Sequence, residues 1–196
     1  MPAGPRAHLA LVLVLVAAAG AGCRHKAKSA GEAYKRFSAA VNARDGGALF
    51  DALDQETRWN WMSIQKFHRE AYDIVLSNYP EGEIRERETR RFEHAATASS
   101  ARELFIQDTA PKLIPMLIPL VLTPGAPIEP GPGDDMAAAV LASGARVPFR
   151  RGKDGDWGYA GLDKRAEDDK NRAYHDLEVV RASAADFERA AARAGK

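Results

Sequence analysis

The chain has 196 residues, with 28 Lys and Arg against 27 Asp and Glu, so its formal net charge at pH 7 is +1. A neutral chain without a basic stripe argues against nucleic acid as a partner. The hydrophobic share of 45%, which includes three Trp, seven Phe and five Tyr, argues against a disordered chain.

A secretory signal pattern occupies the N-terminus. Arg6 and His8 precede an unbroken apolar run at residues 9–19, and the small residues 20–22 follow it. The run is shorter than the about 20 apolar residues that a membrane-spanning helix needs. We therefore expect residues 1–22 to be a signal peptide.

The only cysteine of the chain, Cys23, directly follows this pattern. The sequence AAAGAGC that ends at Cys23 resembles the lipobox of bacterial lipoproteins, in which small residues precede a cysteine that is diacylated on sulfur. Ala21 and Gly22 match that motif, whereas Gly20 stands where an aliphatic residue is usual. The resemblance implies that residues 23–28 comprise a lipidated cysteine, which becomes the first residue after cleavage, and a tether.

A lipidated Cys23 implies a cell-envelope protein that its acyl chains hold in the membrane. Arg24 stands where well-known enterobacterial lipoproteins that stay in the inner membrane have aspartate, so we expect the outer membrane rather than the inner one. The basic residues among positions 24–28 either meet anionic headgroups or form a solvated tether. The alternative is an ordinary signal-peptidase cut after residue 19 or 21, which would give a soluble periplasmic or secreted protein.

Helix-start signals recur in the first part of the chain after the tether. Ser29 and Ser100 each precede a glutamate by three residues, which fits a capping box. Asp54 can cap a long amphipathic helix that ends before Pro80. The segment 81–96 is rich in Glu–Arg pairs spaced by four residues, a pattern typical of a solvated helix.

Prolines at positions 111, 115 and 119 interrupt the apolar segment APKLIPMLIPLVLTP. Proline inside a helix costs about 3 kcal/mol, yet the segment is too apolar for a solvated loop. We expect a kinked helix or an irregular extended segment packed on the core. A membrane-active or partner-docking segment is the alternative if its apolar residues are exposed.

The hydrophobic period changes after a Pro/Gly-rich loop at residues 123–133. The sequences MAAAVLAS, RVPFRR and DWGYAGL predict three strands within residues 135–162, and a final helix is predicted over residues 163–194. Together with the helical segment 29–122, this order predicts one α+β domain over residues 29–196. It consists of N-terminal helices, a three-stranded antiparallel meander and a C-terminal helix.

Two segments resemble small exported lipoproteins with a nuclear-transport-factor-like (SnoaL-like) cone fold. The first is the helical sequence GEAYKRFSAAVNARDGGALFDALD, and the second is a DG-x-W hairpin at residues 154–157; the resemblance covers residues 31–62 and 137–162. A cone fold implies a pocket, and aromatic side chains are candidates for its lining. These candidates are Trp59, Trp61, Phe67, Tyr72, Trp157 and Tyr159. The alternative is that the same side chains belong to the core.

The sequence contains no recognisable catalytic or metal-binding motif. Its histidines lack the H-x-x-x-H and HExxH spacings of metal sites, and no G-x-S-x-G elbow is present. We therefore expect no metal and no cofactor, and a non-enzymatic binding or structural module. Its expected partners are the membrane, through the lipid anchor, and an unknown envelope protein. The alternative is a small-ligand-binding or enzymatic cone-fold domain with an aromatic-lined pocket.

Overall fold

Within residues 26–194, the part of the chain that the computed structural model describes, the backbone forms seven α-helices and a four-stranded sheet. The helices are α1 (Ala30–Asn42), α2 (Gly46–Ala52), α3 (Gln55–Asn78), α4 (Glu83–Thr97), α5 (Ala101–Asp108), α6 (Ala110–Leu117), which a 3₁₀ helix (Ile118–Val121) extends, and α7 (Asp163–Ala194). The strands are β1 (Ile128–Pro130), β2 (Met136–Val140), β3 (Arg146–Arg151) and β4 (Trp157–Tyr159). The predicted α+β class is confirmed.

The predicted number of strands is wrong, because the meander has four strands instead of three. Strand β1 lies inside the segment 123–133 that was predicted as a loop, and it pairs antiparallel with β2, with Ile128 opposite Ala139. The sheet order is β1-β2-β3-β4, and every neighbouring pair is antiparallel. Strand β1 is an edge strand, where a residue such as Pro130, which has no N–H, is tolerated.

The predicted helix caps are confirmed at three helices. Ser29, Asp54 and Ser100 each accept a hydrogen bond from the backbone N–H three residues further on, with N···O distances of 3.2, 3.1 and 3.1 Å. Each of these side chains supplies an acceptor for a backbone N–H that has no carbonyl partner in the first turn of its helix. Capping therefore sets where α1, α3 and α5 begin.

The main core extends from the sheet over α1 to α2, α3, α5 and α6. Phe37 of α1 is fully buried, and its ring stacks on Tyr159 with 4.3 Å between centroids. The same ring meets Phe149 edge-on at 6.2 Å. Because Phe149 lies on β3 and Tyr159 on β4, one side chain of α1 packs against two adjacent strands.

Arg150 joins the sheet to the starts of the two longest helices. Its guanidinium lies 3.2 Å from Asp54 and 2.7 Å from Asp163, and it also pairs with Glu56. Burial raises the pKa of the Asp54 carboxyl, although the hydrogen bond from Thr57 and the charge of Arg150 act against that rise. Helices α3 and α7 consequently begin side by side at the sheet.

Helices α3 and α7 run parallel from the sheet and carry a second hydrophobic cluster. Glu70 pairs with Arg181, and further along Asn78 donates to Glu188 with an N···O distance of 2.7 Å. The 24 residues of α3 extend about 36 Å at 1.5 Å per residue. The fully or nearly fully buried side chains of this cluster are Ala71, Val75, Tyr79, Phe92, Leu177, Val180 and Ala184. Helices α3, α4 and α7 thus form a helical extension of the sheet domain.

Close backbone contact holds β4 against the start of α3. The Asp54 N–H donates to the Tyr159 carbonyl at 3.1 Å. A Cβ on Gly158 would lie only 2.5 Å from backbone atoms of Leu53 and Asp54. Only glycine fits there without displacing either β4 or the segment that precedes α3.

The proline-rich segment is helical, because α6, which contains Pro115, continues into the 3₁₀ helix, and the sharp bend lies at Thr109, before the first proline. Helix α5 and the segment Ala110–Val121 meet at an angle of 65°. Four apolar side chains of the segment are buried, namely Leu113, Ile114, Leu117 and Val121. Met116 and Leu122 of the same stretch are 67% and 68% exposed, so the segment packs on the core through one side and leaves two apolar side chains accessible. Within residues 26–194 no single helix is long and apolar enough to cross a membrane, although this bent pair meets that test of length and composition when taken together.

Candidate functional site

The described chain begins with a segment that is bound to the sheet. The Ala27 N–H donates to the Asp156 carboxylate at 2.8 Å, and the Ala27 carbonyl accepts from the Trp157 N–H at 3.1 Å. The Lys26 ammonium donates to the Asp154 carbonyl at 2.9 Å. Residues 26–28, predicted as part of a tether, are thus fixed to the domain, and we call them the clasp. Cys23 and the predicted signal peptide lie outside the described residues.

Asp156 holds the clasp from inside the molecule. Its side chain is only 4% exposed, and its carboxylate lies 3.3 Å from Arg36 and 3.7 Å from Arg58. Both guanidinium groups also donate to the Asp51 carbonyl. Two cations and one backbone N–H therefore compensate a buried carboxylate, which is the arrangement that a buried charge requires.

A cavity of about 240 Å³ lies beside α3, between α4, α5 and α7. Its apolar wall consists of Trp61, Ile64, Ala95, Leu104 and Ala173. Its polar lining includes His68, Asp108, Asp169, Arg172 and Asp176. An apolar wall with a few polar groups is typical of a small-molecule site, although this volume is slightly below the usual range of about 300–1,000 Å³.

Two ring nitrogens of this lining are buried without a hydrogen-bond partner. They are Nε1 of Trp61, a residue that is 7% exposed, and Nδ1 of His68. In the described part of the chain, these are the only ring nitrogens in that condition. A buried polar group without a partner costs about 1–3 kcal/mol.

Burial lowers the pKa of the His68 imidazole. The carboxylate of Asp176 acts against this effect, and the charge of Arg91 adds to it. The ring of Phe92 meets His68 edge-on at 5.8 Å between centroids. At neutral pH the cavity therefore contains an uncharged imidazole.

We expect the lowered pKa of His68 to make the fold less stable in mild acid. An unfolded histidine has a pKa of about 6.5. Just below this pH the unfolded chain therefore binds a proton at His68, whereas the folded chain binds it only at lower pH. The free energy of unfolding should therefore fall as the pH decreases from 7.5 to about 5.5, and His68→Gln should reduce that fall. Urea unfolding at both pH values measures the difference. His175→Gln, at an exposed position, is the control, and an equal fall in both variants would contradict the prediction.

The structure disperses the six aromatic residues that were predicted to line one pocket. Trp61 is the only one of them in the lining of this cavity, and it also meets Phe105 at 5.4 Å. Trp59 is 48% exposed on the other side of α3. Phe67 packs on Tyr174 at 5.4 Å between centroids.

The remaining three candidates occupy two different clusters. Tyr72 packs against the second hydrophobic cluster, whereas Trp157 packs against the main core. Tyr159 is buried within that main core, and burial raises the pKa of its hydroxyl to about 12. The predicted set is therefore mostly core, which is the alternative that the sequence left open.

Two residues of the observed sites, His68 and Asp156, were not among the site residues predicted from the sequence. His68 lies four residues after Ile64 and seven after Trp61, so the helical period alone places all three on one face of α3. Asp156 offered no comparable signal, because its arginine partners come from α1 and α3 and are distant in sequence.

Comparison with known proteins finds no matching family model, no matching curated protein and no matching solved structure. The structure itself defines an α+β protein with a four-stranded meander. The similarity to exported cone-fold lipoproteins stays an expectation from the sequence.

Proposed function

We propose that this chain is an envelope lipoprotein, anchored through an acylated Cys23, and that its domain is a non-enzymatic binding module for another envelope component. The position of Cys23 carries the proposal. It follows fourteen uncharged residues and precedes the first clasp residue, Lys26, by three positions. An unpaired cysteine in an exported chain needs a purpose other than a disulfide within the chain, and acylation supplies one.

The chemistry of the anchor supports durable attachment. Each buried CH₂ of an acyl chain contributes about 0.8 kcal/mol, and two chains hold a protein in the membrane far better than one. The residue after Cys23 is arginine, and we propose the outer membrane as the destination on that basis.

Metabolic labelling with an alkynyl fatty acid tests the anchor. Cells that express the full chain should incorporate the label, and Cys23→Ala should abolish it. Gly20→Leu, which restores the usual aliphatic residue of the motif, should keep the label and serves as the matched control. An unlabelled wild-type chain, or a labelled Cys23→Ala chain, would contradict the proposal. Density separation of the two membranes then tests the destination.

The cavity favours a second candidate function, the binding of a small molecule. Trp61 and His68 lie in its apolar and polar lining, and three carboxylates and one guanidinium complete the polar part. These features suit a flat apolar body that carries an amino group. The binding would make the domain a ligand sensor or carrier without requiring a reaction.

Benzylamine is a suitable probe of the cavity, because it combines an aromatic ring with an ammonium group. In ¹⁵N-correlated NMR spectra the three tryptophans give separate indole N–H signals. We expect benzylamine to shift the signal that Trp61→Phe removes and to leave the signal that Trp59→Phe removes unchanged. An unchanged Trp61 signal at saturating benzylamine would contradict binding of this class of molecule.

A further inference from the structure

We infer that the turn between β3 and β4 rests on the lipid headgroups of the membrane, and that α3, α4 and α7 project away from the bilayer. This orientation depends on the proposed acylation of Cys23. It assigns one end of the domain to the membrane surface and leaves the opposite end to a partner. Neither assignment follows from lipidation alone, since a long flexible tether would permit any orientation.

The distance between the acylation site and the clasp is short. Only Arg24 and His25 stand between Cys23 and Lys26, and a fully extended chain spans at most about 3.6 Å per residue, so three steps of the chain allow at most about 11 Å between the acylation site and Lys26. The clasp does not lengthen the flexible part of the chain, because Ala27 is 1% exposed and both of its backbone polar groups are hydrogen-bonded. An acylated Cys23 therefore holds the clasp next to the headgroups.

The chain enters the domain at the β3–β4 turn. Lys26 contacts Asp154 in that turn, and the next residue, Ala27, bonds to Trp157 where β4 begins. From Lys26 to Ala27 the chain thus passes from the turn toward the sheet. The side of the domain from which the chain arrives is the side of the turn.

The exposed groups at this end suit contact with headgroups. Basic residues of the clasp and the turn region are Lys26, Lys28, Arg151 and Lys153, and the neighbouring acidic residues are Asp134, Asp135 and Asp154. No large hydrophobic side chain is exposed in residues 26–28 or 150–156. Mixed charges without exposed apolar groups favour a position on the headgroups rather than insertion among acyl chains.

The helical extension begins at the same end and leads away from it. The Gln55 side chain, at the start of α3, accepts from the Lys153 N–H at 3.0 Å. Helix α3 then runs about 36 Å before it ends at Asn78. Glu81 lies in the connection from α3 to α4, and its side chain is 95% exposed. This tip is the part of the domain best placed to meet an envelope partner.

Fluorescent probes at three positions test the orientation in the full, acylated chain. Since Cys23 is the only cysteine and its sulfur is acylated, an introduced cysteine is the only reactive thiol. The variants are Lys153→Cys in the β3–β4 turn, Ser143→Cys in the β2–β3 turn at the other end of the sheet, and Glu81→Cys at the tip. Each labelled protein is inserted into vesicles of phosphatidylethanolamine and phosphatidylglycerol that contain lipid with a nitroxide on its headgroup.

We expect the nitroxide to quench the probe at position 153 and to leave the probes at 143 and 81 at full emission. Mass spectrometry of the N-terminal peptide establishes acylation in each sample, and circular dichroism establishes that each variant is folded. Equal quenching at all three positions, or stronger quenching at 81 than at 153, would overturn the orientation while the acylated peptide still supports the anchor. An unacylated peptide would overturn both the anchor and the orientation.

Discussion

Asp156→Ala is expected to lower the free energy of unfolding by about 3–5 kcal/mol, the usual cost of removing one partner from a buried ion pair. The Arg58 side chain is only 10% exposed, and the substitution leaves its charge without the carboxylate at 3.7 Å. The Ala27 N–H loses its acceptor as well. A domain of this size is stable by about 5–15 kcal/mol, so the loss is a large part of the total.

Asp154→Ala is the matched control, because the two acids are two residues apart in the same turn. The Asp154 carboxylate is 35% exposed and lies 3.6 Å from an exposed Lys26 ammonium. The Asp154 carboxylate also accepts a hydrogen bond from the Asp156 N–H at 3.2 Å. An exposed pair contributes about 0–1 kcal/mol and a hydrogen bond about 0.5–1.5 kcal/mol, so this variant should lose clearly less stability than Asp156→Ala. Urea midpoints followed by tryptophan fluorescence give both values. If Asp156→Ala costs no more than Asp154→Ala, the buried carboxylate does not have the role assigned to it.

The clasp links this stability effect to the orientation at the membrane. Without Asp156 the Ala27 N–H has no carboxylate to hold it, and residues 26–28 can leave the sheet. The tether then lengthens by three residues, or about 10 Å of extended chain. Quenching of a probe at position 153 should weaken in that variant even where the domain remains folded.

Local signals in the sequence were sufficient to locate the helices and insufficient to complete the sheet. A cap such as Asp54 acts within one turn, so its pattern predicts the start of α3 without knowledge of the fold. Strand β1 has three residues and ends in Pro130, and it is defined by its pairing with β2. The sequence composition of such an edge strand is that of a loop, which explains the missing fourth strand.

The candidate site, like the sheet, could be predicted only as far as residues that are close in the sequence determine it. Trp59 and Trp61 are two positions apart, so a helix of 3.6 residues per turn places them on nearly opposite faces. This geometry separates an exposed Trp59 from a buried Trp61, and the predicted pocket, which included both, did not take it into account. The cavity around Trp61 and His68 additionally needs Leu104 of α5 and Ala173 of α7, and no periodicity within α3 indicates those neighbours.

Phe37→Ala is expected to cost about 3–5 kcal/mol, the range for truncation of a buried phenylalanine. The ring is fully buried and contacts Tyr159 and Phe149, so its removal leaves a void between α1 and two strands. Trp59→Ala removes a larger aromatic group, but Trp59 is 48% exposed and packs against neither hydrophobic cluster, so we expect it to cost clearly less than Phe37→Ala.

Because the domain has two hydrophobic clusters, the urea unfolding transition of Phe37→Ala shows whether the main core and the helical extension unfold together. The void lies in the main core, whereas Val75, Phe92 and Leu177 pack in the separate cluster of the helical extension. We expect near-ultraviolet circular dichroism, which reports ring packing, to change at lower urea than the far-ultraviolet helix signal, because α3, α4 and α7 retain their own buried contacts. Coincident transitions with an unshifted midpoint in Phe37→Ala would show that α1 does not hold the sheet through this ring.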